Sequence, residues 1–294
     1  MTPTAPDQHS HSRRSFGARL ADAMEDHGPL CVGIDPHPSL LEAWDLADSA
    51  AGLRDFALRT VDAVGGRVGA VKPQSAFFER HGSAGIAVLE ETLAALRDVG
   101  TLSVLDVKRG DIGSTMAGYA QAYLSDGAPL AADSITVSPY LGYGSLSPAL
   151  DLAEASGRGV FVLALPSNPE GAAVQHAVNG ERAVAAGVVE GVTASNATAS
   201  GEGRLGSVGL VVGATVGEAV SRLGIDLLRA NGPLLAPGIG AQGAGPAELE
   251  SVFGSARRHV LASTSRGVLN AGPSIEALRT SALAATYEAA AALR

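Results

Sequence analysis

Asp106-Val107-Lys108-Arg109-Gly110-Asp111 places four ionisable side chains within six residues. Read as the end of a strand, the stretch points Asp106 and Lys108 to the same face, about 6–7 Å apart along the backbone. The turn at Gly110 brings Asp111 into the neighbourhood. A lysine between two carboxylates keeps its proton, since each opposite charge at about 4 Å contributes roughly 4 kcal/mol at an effective dielectric near 20. Such a group is an acid rather than a nucleophile. The alternative is a salt-bridged strand end that only solubilises a loop, and this stretch by itself leaves both open.

The elements that must position these groups alternate along the chain. Strands are predicted at Leu30–Asp35, Val68–Lys72, Thr101–Val107, Ser134–Ser138, Gly159–Leu165, Val208–Gly213, Pro233–Pro237 and His259–Ser263, each short, apolar and bounded by Gly, Pro or charge. Helical periodicity runs through 46–64, 86–99, 112–124, 146–155, 184–193, 216–229, 246–253 and 274–293. The Gly-, Ala-, Ser- and Asn-rich segment 171–206 is the least legible part. Apolar strands separated by helices imply a parallel sheet buried on both faces, and eight of them favour a closed (β/α)8 barrel, an α/β fold of the TIM type. Residues 1–15 read as a flexible N-terminal tail and 16–294 as a single barrel domain.

Barrels of this kind gather function at the C-terminal ends of their strands. Strand one ends at Asp35, strand two at Lys72, strand three at Asp106 and Lys108, strand five at Ser167-Asn168-Pro169 and strand eight at Ser265-Arg266-Gly267. Lys72 falls beside Asp106 and Lys108 on the adjacent strand, so lysines and aspartates alternate in one pocket. After strand seven, Pro237-Gly238-Ile239-Gly240-Ala241-Gln242-Gly243 is a Gly-rich turn whose bare amides suit an anion, and Pro246 then opens a helix. With Gly238, Gly240 and Gly243 in one loop and Arg266 in the next, the pair matches a phosphate site built from the last two loops of a barrel.

Composition limits the setting. The 294 residues are 46% hydrophobic with a formal net charge of -9, which argues against nucleic acid and anionic membrane surfaces as partners of the whole chain. Cys31 is the only cysteine and lies in an apolar strand run, so it reads as a buried, inert thiol; no intramolecular disulfide or Cys-based metal site can form. The start of the chain has no apolar stretch of a secretory signal and no run is long enough to span a membrane, so a cytoplasmic location is expected.

Together these motifs resemble the orotidine 5′-phosphate decarboxylase family. Asp106-Val107-Lys108-Arg109-Gly110-Asp111-Ile112-Gly113 is similar to its D-x-K-x-x-D-I signature. Val71–Glu79, Thr136–Gly142, Ser167-Asn168-Pro169 and Pro237–Gly243 resemble the longer bacterial, mycobacterial-type (type 2) branch. The resemblance spans roughly Phe16 to the C-terminus. It implies decarboxylation of orotidine 5′-phosphate to uridine 5′-monophosphate, the last step of de novo pyrimidine biosynthesis, in a homodimer without metal or organic cofactor.

The resemblance also implies residue roles. Lys72, Asp106, Lys108 and Asp111 would form the catalytic array, with Asp111 and Thr115 reaching into the partner subunit's site. Asp35 and Lys72 would hold the ribose hydroxyls, Ser167 and Gln242 the pyrimidine, and Arg266 with nearby amides the phosphate. Two rivals remain at this point. A sugar-phosphate lyase of the same barrel suprafamily shares the Asp-x-Lys-x-x-Asp strand but resembles a Mg²⁺ site with an acid where this chain has Lys72. A noncatalytic phosphoribosyl-binding module would need Arg266 and the Gly-rich loop, but not two pocket lysines.

Overall fold

Eight parallel strands form the predicted barrel in a computed structural model that describes residues 13–239 and 244–294. They are β1 (Leu30–Ile34), β2 (Ala70–Pro73), β3 (Val104–Arg109), β4 (Ser134–Val137), β5 (Gly159–Leu165), β6 (Val208–Val212), β7 (Leu234–Pro237) and β8 (Val260–Thr264). Each pairs with the next, and β8 pairs with β1, giving a continuous ladder everywhere except between β2 and β3. That seam is closed by two isolated bridges, Val71 with Ser103 and Gln74 with Asp106, and by a bond from Val71 N to Leu102 O at 2.9 Å.

The main helices are α1 (Phe16–His27), α2 (Ala50–Val64), α3 (Gly82–Asp98), α4 (Gly113–Leu124), α5 (Ser147–Ala155), α6 (Val184–Ser195), α7 (Pro246–Phe253) and α8 (Ile275–Ala292). Apart from α1, their apolar stripes cover the outward faces of the strands. In α2, for example, Leu53, Phe56, Ala57, Thr60, Val61 and Val64 are all buried, and Ser49 caps the start by accepting from Gly52 N. The cap explains why the helix begins at Ala50 although apolar periodicity extends back to Leu46. Bounds elsewhere agree with expectation to within a few residues. One does not: the helix expected over 216–229 is reduced to Ala219–Arg222. Gly217 and Gly224 take φ of +58° and +65°, left-handed conformations that interrupt the helix on both sides.

α1 was not foreseen as an element, yet it closes the barrel floor. Phe16 and Leu20 are fully buried among Cys31, Ala70, Val104, Phe161, Val211, Leu235 and Leu261, the inward residues of the strands. Phe16 meets Phe161 edge to face at 5.9 Å, and a Cβ on Gly159 would collide with the edge of the Phe16 ring. The tail expected over 1–15 falls mainly on residues outside those described. Its described end is anchored: Arg13 pairs with Asp126 at 2.8 Å and donates to Ser156 O, while Arg14 pairs with Asp22 at 2.6 Å. Within 171–206, Val178–Asn179 and Arg182–Ala183 form a small antiparallel hairpin ahead of α6.

Two measurements check this floor. Phe16→Ala removes an aromatic ring from a filled interior and should lower unfolding stability by roughly 3–5 kcal/mol in denaturant titration; an unchanged midpoint would take α1 out of the core. Burial pushes the Cys31 thiol up to about 12, against the opposing charge of Lys72. The native chain should therefore resist a thiol reagent at neutral pH and react only after unfolding.

Candidate active site

β3 carries the array because its inward residues change character along its length. Val104 packs in the floor; Asp106, one alternation further, is buried beneath the mouth at 7% exposure; Lys108, a step beyond, is half exposed. Lys108 Nζ donates to both Asp106 carboxylate oxygens, at 2.7 and 2.8 Å, and Lys72 Nζ donates to Asp106 Oδ2 at 3.2 Å from the neighbouring strand. Asp35 at the end of β1 extends the series, with its Oδ1 3.8 Å from Lys72 Nζ. Asp35, Lys72, Asp106 and Lys108 thus alternate in sign across three adjacent strands, with Asp35 rather than Asp111 as the second acid of the series.

The backbone of β3 is distorted where this happens. Leu105 pairs with Ile135 and Arg109 with Val137, so four steps on β3 run beside two on β4. Lys108 takes a φ of +45°, an uncommon conformation for a non-glycine residue. Its amide donates to Thr136 Oγ1 at 2.9 Å, and the Thr136 hydroxyl donates to Asp106 Oδ1 at 2.7 Å. One threonine on β4 therefore fixes both the acid and the strained residue. Such local strain persists where the surroundings over-determine it.

Charge partners tune the buried pair. For Asp106, burial works against ionisation, but the ammonium groups of Lys72 and Lys108 and the bonds from Lys108 and Thr136 outweigh it and hold its pKa below the ordinary carboxylate range. For Lys72, burial opposes the charge and the carboxylates of Asp35 and Asp106 overcome it, so its pKa lies above the usual lysine value. Lys72 is further steadied by Gln74 Oε1 at 2.9 Å. Two buried oxygens at this mouth have no hydrogen-bond partner, Asp35 Oδ1 and Ser265 Oγ. They lie near each other: a Cβ on Gly33 would stand 3.3 Å from both. Buried oxygens of this kind invite a hydrogen-bonding ligand.

The remaining predicted residues divide into three groups. Ser167, exposed after β5, lies against Gly213 at the end of β6, where an added Cβ would come within 2.7 Å of Ser167 Cβ. Gly238 and Arg266 leave neighbouring strands at the same end of the barrel, since Pro237 on β7 is level with Ser263 on β8. Gly238 has φ +89°, which suits glycine, and its carbonyl accepts from Ala244 N at 2.8 Å, so the loop returns on itself. Arg266 is exposed. Gly240, Gln242 and Gly243 lie outside the described residues.

Asp111 and Thr115 do not join the array within this chain. Asp111 Oδ1 accepts from Ile112 N at 2.8 Å, and Thr115 is exposed on the first turn of α4. The helix after the Gly-rich loop also differs from expectation. Gly245 N ahead of α7 donates to Glu248 Oε2 at 3.0 Å, placing a carboxylate where an anion was expected to be welcomed. Sequence reasoning missed Thr136, Gln74 and Ser265 as site residues. Strand alternation was the available signal for Thr136, which sits two residues before Ser138 on an inward position.

A closed (β/α)8 barrel with a lysine–aspartate array at its C-terminal mouth, a positive-φ glycine turn after β7 and an arginine after β8 has the form of a barrel enzyme for a small anionic substrate. The chain belongs to the Orotidine 5′-phosphate decarboxylase / HUMPS family, whose model matches residues 28–280. A curated orotidine 5′-phosphate decarboxylase from Streptomyces coelicolor is 60% identical over 269 residues, covering 91% of this chain and 94% of the relative. One from Salinispora arenicola is equally similar over the same shares. A crystal structure of a chain assigned as orotidine 5′-phosphate decarboxylase from Streptomyces avermitilis superposes with a TM-score of 0.91 at 59% identity, covering 96% of this chain and 97% of that one.

The depressed Asp106 pKa has a consequence for stability. The unfolded chain takes up the proton more readily than the folded one, so the contribution is present above the unfolded carboxylate value near pH 4 and is lost as pH falls through the folded value. Urea midpoints measured from pH 7 to pH 3 should fall on the acid side, and Asp106→Asn should flatten that fall relative to the parent. An equally steep fall in the variant would detach Asp106 from the acid response.

Proposed function

We propose that this chain removes CO₂ from C6 of orotidine 5′-phosphate to give uridine 5′-monophosphate, with Lys108 stabilising the developing charge and supplying the proton. The observation that carries this reading is the ion-pair series Asp35–Lys72–Asp106–Lys108 at the barrel mouth. The close identity to curated decarboxylases over most of both chains supports the same carboxy-lyase activity.

The chemistry follows from what the pocket offers. Breaking the C6–carboxylate bond leaves its electron pair in an sp² orbital of the ring, where no carbonyl is positioned to delocalise it. Stabilisation must be electrostatic. An ammonium fixed in a site sheltered from water is worth more than one in bulk solvent, because it needs no reorganisation as charge appears. Asp106 holds the Lys108 ammonium by two hydrogen bonds. The proton then passes from Lys108 Nζ to C6, and CO₂ leaves. Asp35 and Lys72 would hold the ribose hydroxyls, with the unpartnered Asp35 Oδ1 available to accept from one. Gly238, Gly240 and Gly243 of the loop after β7, with Arg266 of the loop after β8, would hold the phosphate, and Ser167 and Gln242 the pyrimidine, Gln242 bridging towards the phosphate. Phosphate contacts distant from C6 add to the rate when their binding energy closes loops around the ring.

The reading includes a homodimer in which Asp111 and Thr115 complete the partner's site. The exposure of Thr115 supports this, as do three exposed apolar side chains on the loops after β3 and β4: Ile112 at 61%, Tyr140 at 79% and Leu141 at 53%. The reaction is proposed to need neither metal nor organic cofactor. The Mg²⁺-dependent rival wants an acid where Lys72 stands, and an ammonium 3.2 Å from Asp106 would repel a divalent cation there. No helix among the described residues is long and apolar enough to cross a membrane, in keeping with the proposed cytoplasmic setting.

Loss of orotidine 5′-phosphate absorbance in the presence of a chelator tests the whole reading. Turnover that survives the chelator supports it; chelator-sensitive activity on a sugar phosphate, or nucleotide binding without turnover, would replace it. Lys108→Ala should abolish turnover while retaining much of the affinity for uridine 5′-monophosphate. Arg266→Ala should chiefly raise KM, and a variant with unchanged KM would remove Arg266 from the phosphate site.

A further inference from the structure

We propose that Arg109, through its pair with Glu79, is a positioning residue for decarboxylation: it staples the short helix after β2 to the end of β3 and so sets the spacing of Lys72, Asp106 and Lys108. The inference rests on the decarboxylase reading and adds a residue pair to it.

The argument begins at the seam. Lys72 stands on β2 and Asp106 and Lys108 on β3, so the array crosses the one junction of the barrel that lacks a continuous ladder. Beyond the Gln74–Asp106 bridge the two segments share no further ladder pairing among the described residues, and movement there would strain the 3.2 Å contact between Lys72 and Asp106. Above the bridges, Arg109 Nη2 donates to Glu79 Oε1 at 2.6 Å. Glu79 ends the short helix Ser75–Glu79 that directly follows Lys72-Pro73-Gln74, and the same carboxylate oxygen accepts from the buried Ser75 hydroxyl at 2.8 Å. The pair therefore ties the two catalytic strands together on the open side of the seam.

Arg109 is held from its other side as well. Its guanidinium lies 5.5 Å from the centre of the Tyr119 ring and donates to the Tyr123 hydroxyl at 3.3 Å, both residues being on α4. Its carbonyl accepts from Ser138 N at 2.7 Å on the β4 side. Arg109 directly follows Lys108, whose φ of +45° must be imposed from outside. Thr136 fixes the amide before the strained centre and Arg109 fixes the residue after it. An ion pair whose side chains are 30% and 36% exposed adds little to global stability. Its geometric effect on an adjacent catalytic group can be large, since a misplacement of about 1 Å can cost on the order of a hundredfold in rate.

The test compares the parent with Arg109→Gln, Glu79→Gln, the double variant and Arg109→Lys, each checked for native circular dichroism and thermal midpoint. Expected is a fall in kcat of about tenfold or more in each glutamine variant with KM for orotidine 5′-phosphate changed by less than about threefold. The double variant should be no slower than the worse single one, and Arg109→Lys should recover part of the rate. A folded Arg109→Gln enzyme with kcat within about twofold of the parent, or losses that multiply in the double variant, would overturn the proposal. A crystal structure of Arg109→Gln adds a reading independent of rate: the Lys72–Asp106 contact should lengthen, and an unchanged array would also overturn it. A parent chain that fails to turn over orotidine 5′-phosphate would instead sink the decarboxylase reading.

Discussion

The structure depends on one buried carboxylate shared by two ammonium groups. Asp106 lies below the barrel mouth at 7% exposure, where an unpaired charge would be costly, and it is tolerated because Lys72, Lys108 and Thr136 all donate to it. Each lysine in turn relies on it. Remove the carboxylate and Lys72, itself buried, keeps only Asp35 at 3.8 Å and Gln74 as polar company. The alternation of sign across β1, β2 and β3 is thus a mutual arrangement in which no member is stable in place alone.

Holding that arrangement makes demands on the surrounding backbone. β3 departs from regular pairing with β4 between Leu105 and Arg109, and Lys108 adopts a left-handed φ. A regular strand would carry Lys108 on along the barrel axis. The distortion leaves its ammonium folded back over Asp106, held there by two bonds to that carboxylate and by the bond from the Lys108 amide to Thr136. Active-site strain elsewhere in proteins is maintained in the same way, by surroundings that leave no alternative. The ordinary ladders around the rest of the barrel supply the rigid frame against which the irregular part is set.

Much of this was legible in the residues. Short continuous apolar runs bounded by Gly, Pro or charge locate all eight strands, and the rule that barrel chemistry gathers at strand ends singles out Asp35, Lys72, Asp106 and Lys108. Three things were not legible. α1 was passed over because its stripe of Phe16, Leu20 and Met24 is sparse, and its role depends on a cavity that exists only once the strands close. The 216–229 helix was overextended because apolar spacing continues through Gly224, whose positive φ no periodicity reveals. Asp111, next to the array in sequence, makes no ion pair with its lysines: the turn at Gly110 packs against Ser138, and the Asp111 carboxylate accepts from Ile112 N instead. Proximity along the chain fixes neighbourhood only while the backbone stays extended.

The aromatic floor has a consequence for traffic. With Phe16 and Phe161 filling the lower interior and the charged layer directly above, the barrel is a blind well rather than a tunnel. Nucleotide, released gas and product must all use one doorway, the mouth at the C-terminal ends of the strands. Arrival and departure therefore alternate, and each round ends only when the spent nucleotide has backed out along the path by which its precursor entered.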